Sequence, residues 1–249
     1  MTTDMTSTTP VALITGGSKG LGRALARSLA DRGWRLVLDA RGGEQLQRVV
    51  DELAPTTEVV AVAGDVADPG HRRDLAAAVD RLGRLDVLAN NASVLGPSPQ
   101  PRLADYPLDV LEHVYRVNVL APLGLTQLLL PQLRAADGVI LDVSSDAAVE
   151  AYEGWGGYGS SKAALDHLTA VLGAEEPAVR VYAVDPGDMR TDLHQQAFPG
   201  EDISDRPAPE SAVPRLLHLI ESRLPSGRYR AAGVGALTHD RAVPARAGA

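Results

Sequence analysis

No cysteine occurs in the 249 residues. That absence excludes a disulfide framework, a thiolate zinc site and a cysteine nucleophile together. Long apolar runs are missing too. The longest, Val117 to Leu133, is broken by Asn118, Pro122, Gln127 and Pro131, short of the ~18 residues a bilayer crossing needs. Met1 to Thr9 offers neither a basic n-region nor an apolar h-region, so no secretory leader is expected and a cytoplasmic protein is. Basic residues are in deficit, with 24 Lys plus Arg against 32 Asp plus Glu and a formal net charge of −8. A nucleic-acid partner is therefore not expected, because such affinity comes mainly from Lys and Arg neutralising phosphates. Six histidines show no H-x-x-x-H or H-E-x-x-H pairing, and no metal is expected. Lysine is the scarcest cation: only Lys19 and Lys162, beside 22 arginines.

What is present suits a globular chain. Apolar residues make up 45% and charged residues 22%, enough for a core and a solvated surface. At ~150 residues per domain the length allows one or two units, and α/β chains of this size are often single. Short apolar runs predict strands at Val11–Thr15, Arg35–Ala40, Glu58–Ala63, Leu85–Ala89, Gly138–Val143 and Val179–Val184, with a weaker seventh at Gly227–Ala231. Between them, helices are predicted over Gly20–Arg32, Gly43–Leu53, Pro69–Leu82, Pro107–Arg134, Trp155–Gly173 and Pro209–Arg223. Near-continuous apolar strands alternating with helices imply a doubly wound, mostly parallel seven-stranded α/β sheet in a single domain, residues 10–235. Residues 1–9 and 236–249 read as tails, and 187–208 as a functional loop of the lid type.

Strand one runs directly into Thr15-Gly16-Gly17-Ser18-Lys19-Gly20-Leu21-Gly22, and a helix pattern follows. Such a turn lets backbone N–H groups approach a pyrophosphate at the positive end of the helix. A plain βα turn needing positive φ is the bland alternative. Tyr158 and Lys162 stand four apart on a predicted helix, which puts a phenol and an amine on one face. A phenol with a reference pKa of ~10 works near neutrality only if a cation favours its phenolate. That both surviving lysines fall in these two motifs suggests tasks a guanidinium cannot perform. Ser145 ends the fifth strand, where its hydroxyl could donate to a substrate oxygen or merely satisfy the strand end. Asn118 sits mid-helix despite poor propensity, and Pro122 lacks the N–H that would bond its carbonyl, so the site reads as a water holder or a simple kink.

These motifs resemble the short-chain dehydrogenase/reductase family, in its ~250-residue single-domain, Rossmann-type branch with T-G-x-x-x-G-x-G and Y-x-x-x-K. The resemblance spans residues ~11–232 and implies a catalytic set of Asn118, Ser145, Tyr158 and Lys162. It implies a dinucleotide held by Gly16, Ser18, Lys19, Gly20, Leu21 and Gly22, then by Asp65 and Val66 at adenine. Asn90-Asn91-Ala92-Ser93 is similar to the family's N-N-A-G, so Asn91 and Ala92 join the cofactor set. Ser93 replaces the glycine, which would strain the loop if φ there were positive. Pro186, Gly187, Met189 and Thr191 match P-G-x-x-x-T around the nicotinamide, and Tyr158 and Lys162 also meet the cofactor.

The family spacing puts the ribose-reading position at Ala40, followed by Arg41. With Lys19 nearby, two cations and no acid favour NADP(H) over NAD(H), although Asp39 would reverse this if the register slipped by one. The expected activity is hydride transfer between the nicotinamide and a ketone or secondary alcohol, with Tyr158 as acid/base. A catalytically silent dinucleotide sensor is the alternative on the same fold. A sugar-nucleotide epimerase or dehydratase fits less well, since too few residues follow Gly187 for its substrate domain. Relatives of this kind are homodimers or homotetramers, and a small carbonyl or alcohol substrate is expected. Tyr152, Trp155, His194 and Phe198 could wall its pocket or serve packing alone.

Overall fold

In the computed structural model, residues 9–232 and 236–242 are described. The runs that are apolar on both faces form the middle of one sheet: β1 (Val11–Ile14), β2 (Arg35–Ala40), β3 (Val59–Ala63), β4 (Val87–Asn90), β5 (Val139–Val143), β6 (Arg180–Asp185) and β7 (Gly227–Ala232). They pair in the order β3-β2-β1-β4-β5-β6-β7, all parallel. This is the expected doubly wound sheet.

Period-two alternation assigns each strand's side chains to opposite layers. Ala12, Ile14, Leu36 and Leu38 pack with α1 (Gly20–Ala30), α2 (Gly43–Leu53) and a late helix at Val213–Ser222. Val11, Leu13 and Val37 pack against α3 (Pro69–Leu82) and a helix at Ala121–Ala135. In α3, Asp68 caps the N-terminus through Gly70 N at 2.8 Å, Pro69 follows it, and Gly83 ends the helix at φ 72°.

Two expectations need correction. The helix predicted over Pro107–Arg134 divides into α4 (Leu108–Tyr115), a π-helical turn at Arg116–Leu120, and α5 (Ala121–Ala135). Pro122 cannot donate to the carbonyl four residues back, at Asn118, and the wider turn accommodates that missing bond. The segment expected to begin a C-terminal tail instead forms β8 (Ala236–Ala242), antiparallel to β7 at the sheet edge. An edge strand needs only backbone pairing, so its sequence carries little apolar signal. The tail expected at 1–9 lies outside the described residues except for Thr9, as does 243–249. The remaining helices are α6 (Gly156–Glu175), α7 (Asp192–Ala197) inside the predicted lid, and α8 (Val213–Ser222). Among the described residues, no helix is long and apolar enough to cross a membrane.

Candidate active site

Because β1 to β6 run parallel, their carboxyl ends share one edge, and a cavity of about 530 Å³ opens along it. One end begins at the glycine turn. Thr15 Oγ1 accepts from the backbone N–H groups of Asn91 and Ala92, each at 3.0 Å, which ties the ends of β1 and β4 together. Asn91 Nδ2 donates to Thr15 O at 2.8 Å. Gly16 lies at φ 65° and Gly20 at φ 54°, and a Cβ on Gly22 would stand 2.4 Å from Gly16 O. The helix therefore starts pressed against the turn. Lys19, its N-cap, supplies no side-chain acceptor to the first turn, so the free N–H groups suit an anionic group. Ser18, Lys19, Gly20 and Leu21 line the cavity here. This cradle fits a dinucleotide's pyrophosphate.

Towards the adenine end, Asp65 and Val66 also line the cavity. Asp65 Oδ1 accepts from Ala67 N at 2.9 Å, and Val66 O accepts from Arg72 at 2.6 Å, so both residues are fixed in place. Arg41 is exposed at the cavity wall beside Ala40 and Gly42. Lys19 is less free than expected, since its Nζ pairs with Asp192 of α7 at 2.6 Å. Asp39 is buried, and its carboxylate contacts His71 Nε2 at 2.6 Å.

At the opposite end stand the four candidate catalytic residues. Tyr158 and Lys162 occupy successive turns of α6 and are both buried. Lys162 Nζ donates to Val143 O at 2.7 Å and lies 5.6 Å from the centre of the Tyr158 ring. Burial lowers the amine to about 8, against the pull of Asp166 and Asp142. Burial also raises the Tyr158 phenol above its ordinary value, opposed by hydrogen bonding from Ser93 and Ser145. The sequence predicted a phenol shifted down by the lysine. The structure differs because desolvation dominates and the amine is directed at a strand-end carbonyl. In this state Tyr158 is an acid that holds its proton.

Ser145 Oγ donates to Asp146 Oδ1 at 3.0 Å and accepts from Ala147 N at 3.2 Å while facing the Tyr158 hydroxyl. Its own carbonyl accepts from Arg228 at 2.9 Å. Neighbouring Ser144 is buried against Asp166. Asn118 lies in the π-helical turn, and its side chain makes every bond available to a carboxamide. Nδ2 donates to Val94 O at 2.9 Å and Ser161 Oγ at 3.0 Å, while Oδ1 accepts from Val94 N at 2.9 Å and Ser93 Oγ at 3.2 Å. The Asn118 side chain thus clamps the loop after β4 to α6.

The substrate end is apolar. Leu95, Ala147 and Tyr158 cluster with Trp155, Leu193 and Ala197. Phe198 packs on Trp155 at 5.8 Å and on His194 at 4.8 Å between ring centres, so it braces α7 over the pocket. Trp155 and His194 line the cavity, while Tyr152 is half exposed and hydrogen-bonded to Asp146. Pro186, Gly187, Met189 and Thr191 complete the wall. Thr191 caps α7 by accepting from His194 N at 3.2 Å. The structure brings every candidate residue to the one cavity except Gly22, which shapes the turn beneath it, and Asn118, which acts behind it. Sequence reasoning missed Asp146 and Arg228 around Ser145. An Arg inside the predicted strand Gly227–Ala231 was the available signal.

Comparison with known proteins agrees with this geometry. The short chain dehydrogenase family profile matches residues 10–202. Mouse sepiapterin reductase is 34% identical over 201 residues, 75% of this chain and 77% of its own length. A protein described as a short chain dehydrogenase from Pseudomonas syringae superposes with a TM-score of 0.83 at 35% identity, covering 89% of this chain and 93% of its own. An alcohol dehydrogenase from the archaeon Thermococcus sibiricus, solved with 5-hydroxy-NADP, gives a TM-score of 0.80 at 28% identity, covering 89% and 95%.

Proposed function

Because the chain belongs to the short-chain dehydrogenase family of nicotinamide-dependent oxidoreductases acting on CH–OH and C=O groups of small molecules, we propose that it is an NADP(H)-dependent ketone reductase using Tyr158 as acid/base. One observation carries the reading: a buried, protonated phenol flanked by two serine hydroxyls ends a cleft whose other end is an anion cradle beside Arg41. When bound, the coenzyme supplies the hydride. Gly16 to Leu21 would hold its pyrophosphate, Arg41 the 2′-phosphate, Asp65 and Val66 the adenine, and Met189 and Thr191 the carboxamide. Asn91 and Ala92 shape the middle of the cleft.

The substrate carbonyl enters between Leu95, Trp155 and Leu193, with its oxygen towards Tyr158 and Ser145. Ser145 turns its hydroxyl from Asp146 to the oxygen as negative charge grows there. Tyr158 gives its proton to that oxygen. Lys162 would hold the ribose, and its charge would favour the phenolate that results. Asn118 keeps α6 and the loop after β4 in register. The lid at 187–208 excludes water above the reacting groups. Exposed Leu120, Leu128 and Val171 on the π-helical turn, α5 and α6 supply the face for a homodimer or homotetramer.

The test is NADPH consumption with diacetyl, ethyl acetoacetate and 1-phenyl-1,2-propanedione, alongside thermal shifts with NADPH and NADH. Turnover with a larger shift for NADPH supports the reading. Tight NADPH binding without turnover on any ketone would favour the sensor alternative.

A further inference from the structure

Strand β7 carries a charge into the interior. Period-two alternation places Tyr229 in the apolar cluster of α8 and turns Arg228 to the opposite face, against α6. Arg228 is only 6% exposed. A buried guanidinium is costly to desolvate unless it is paired, so its partners indicate its task.

Those partners come from three elements. Nε donates to Asp166 Oδ2 at 2.8 Å, on α6 one turn beyond Lys162. Nη2 donates to Ser145 O at 2.9 Å, just past the end of β5. The same nitrogen lies 3.7 Å from Asp185 Oδ2 at the end of β6. Arg230 Nε also faces that oxygen at 3.2 Å, so Asp185 keeps a cation if Arg228 is altered.

The bond to Ser145 falls where the sheet releases the chain. Ser144 N still donates to Val184 O at 2.7 Å, as a continuation of the β5–β6 ladder. At Ser145 the chain enters a short 3-10 turn, and Ala148 N donates to Ser145 O at 3.1 Å. Arg228 gives that carbonyl a second bond, which joins the departing chain to the helix bearing Tyr158 and Lys162. A guanidinium can hold both acceptors because its Nε and Nη2 N–H groups form a rigid fork. An ammonium is a single compact charge and lacks that geometry.

We propose that Arg228 is a positioning residue for the reaction, holding the Ser145 hydroxyl in place relative to Tyr158 through the Ser145 carbonyl and the Asp166 carboxylate. The inference rests on the reading of Ser145 as donor to the substrate oxygen. Loosening the fork leaves the glycine turn and Arg41 unchanged, because neither touches Arg228. It lets Ser145 drift from the point where the oxygen becomes charged, and a misplacement of about 1 Å can cost up to ~10²-fold in rate.

The experiment is a double-mutant cycle on the full chain, with Arg228→Lys, Ser145→Ala and the pair compared with wild type. Ketone reduction is followed with NADPH saturating and enzyme in excess for the slow variants. Arg228→Lys should lower kcat about tenfold, with KM for the ketone and Kd for NADPH within a few-fold. In the Ser145→Ala background the same change should cost less than about twofold, since the group being positioned is gone. A purely structural arginine would lower kcat by the same factor in both backgrounds. That result, or an unchanged kcat in folded Arg228→Lys, overturns the proposal. If Arg228→Lys does not fold, Asp166→Asn, which keeps the arginine and weakens one arm of its fork, enters the same cycle with the same criterion. Wild-type protein inactive on every ketone, or Ser145→Ala as active as wild type, overturns the functional reading instead.

Discussion

The carboxylate of Asp39, at the end of β2, contacts His71 Nε2 on α3 at 2.6 Å, with both side chains buried. Its other oxygen accepts weakly from Gly16 N at 3.4 Å. Gly64 makes room for the ring, since a Cβ there would lie 2.2 Å from His71 Nδ1. The hydrogen bond to Asp39 raises the imidazole above its ordinary value, while burial raises the Asp39 carboxyl above its own. The acid that could read a ribose is thus paired with α3 while it still lines the cavity beside the glycine turn.

His71→Leu would leave a buried carboxylate without its partner. Loss of one member of such a pair costs about 3–5 kcal/mol, while removing both is far milder. Urea denaturation should show that loss for His71→Leu and substantial recovery for Asp39→Asn combined with His71→Leu. Equal stability of the single variant and wild type would contradict the pairing.

The proposed preference for NADPH rests on Arg41, exposed at the cavity wall beside Ala40. Removing a charge-assisted contact to phosphate is worth about tenfold to a hundredfold in affinity. Arg41→Ser should weaken NADPH by that factor and change NADH only slightly. Ala40→Asp should reverse the preference, as measured by titration of each coenzyme. Parallel losses for both coenzymes would place the 2′-phosphate elsewhere.

Tyr158→Phe removes the acid and keeps the ring. Turnover of a ketone should fall by ~10²-fold or more, as loss of general-acid catalysis implies. The NADPH dissociation constant should stay within a few-fold. Near-normal rates would assign proton transfer to another group.

Asp142 is completely buried, and desolvation raises its carboxyl to about 6 despite bonds from Asn90 and Thr169, each at 2.7 Å. The folded state therefore binds a proton more tightly than the unfolded chain between about pH 4 and 6. Stability from this group declines as pH rises through that window, and above about 6 the ionisation cost is complete. Asp142→Asn should raise stability by roughly 1–3 kcal/mol near pH 7, with the gain vanishing below about pH 4. The new amide can still accept from Asn90, and Thr169 retains Leu165 O as an acceptor at 2.9 Å. Melting temperatures across that range test the sign.

Much of the site was legible because its parts are local. The glycine turn follows a strand and opens a helix, and Tyr158 and Lys162 are separated by one helical turn. Helices α2 and α3 and strand β2 have the predicted boundaries, since caps and apolar periodicity lie in neighbouring residues. The break near Asn118 was foreshadowed by Pro122, yet its form as a π-helical turn was not. β8 escaped notice because an edge strand carries little apolar patterning.

The order of motifs along the chain, together with strand–helix alternation, was enough to specify the family, the sheet and the edge at which the cavity opens. Those features follow from short-range sterics and periodicity, which a one-dimensional pattern records. Partnerships across layers belonged to the folded molecule: Asp39 with His71, Lys162 with Val143 O, Ser93 with Asn118. Each joins residues from different elements, and its existence depends on how helices stack on the sheet and exclude water. Burial then sets the protonation of Tyr158, a quantity no linear spacing contains.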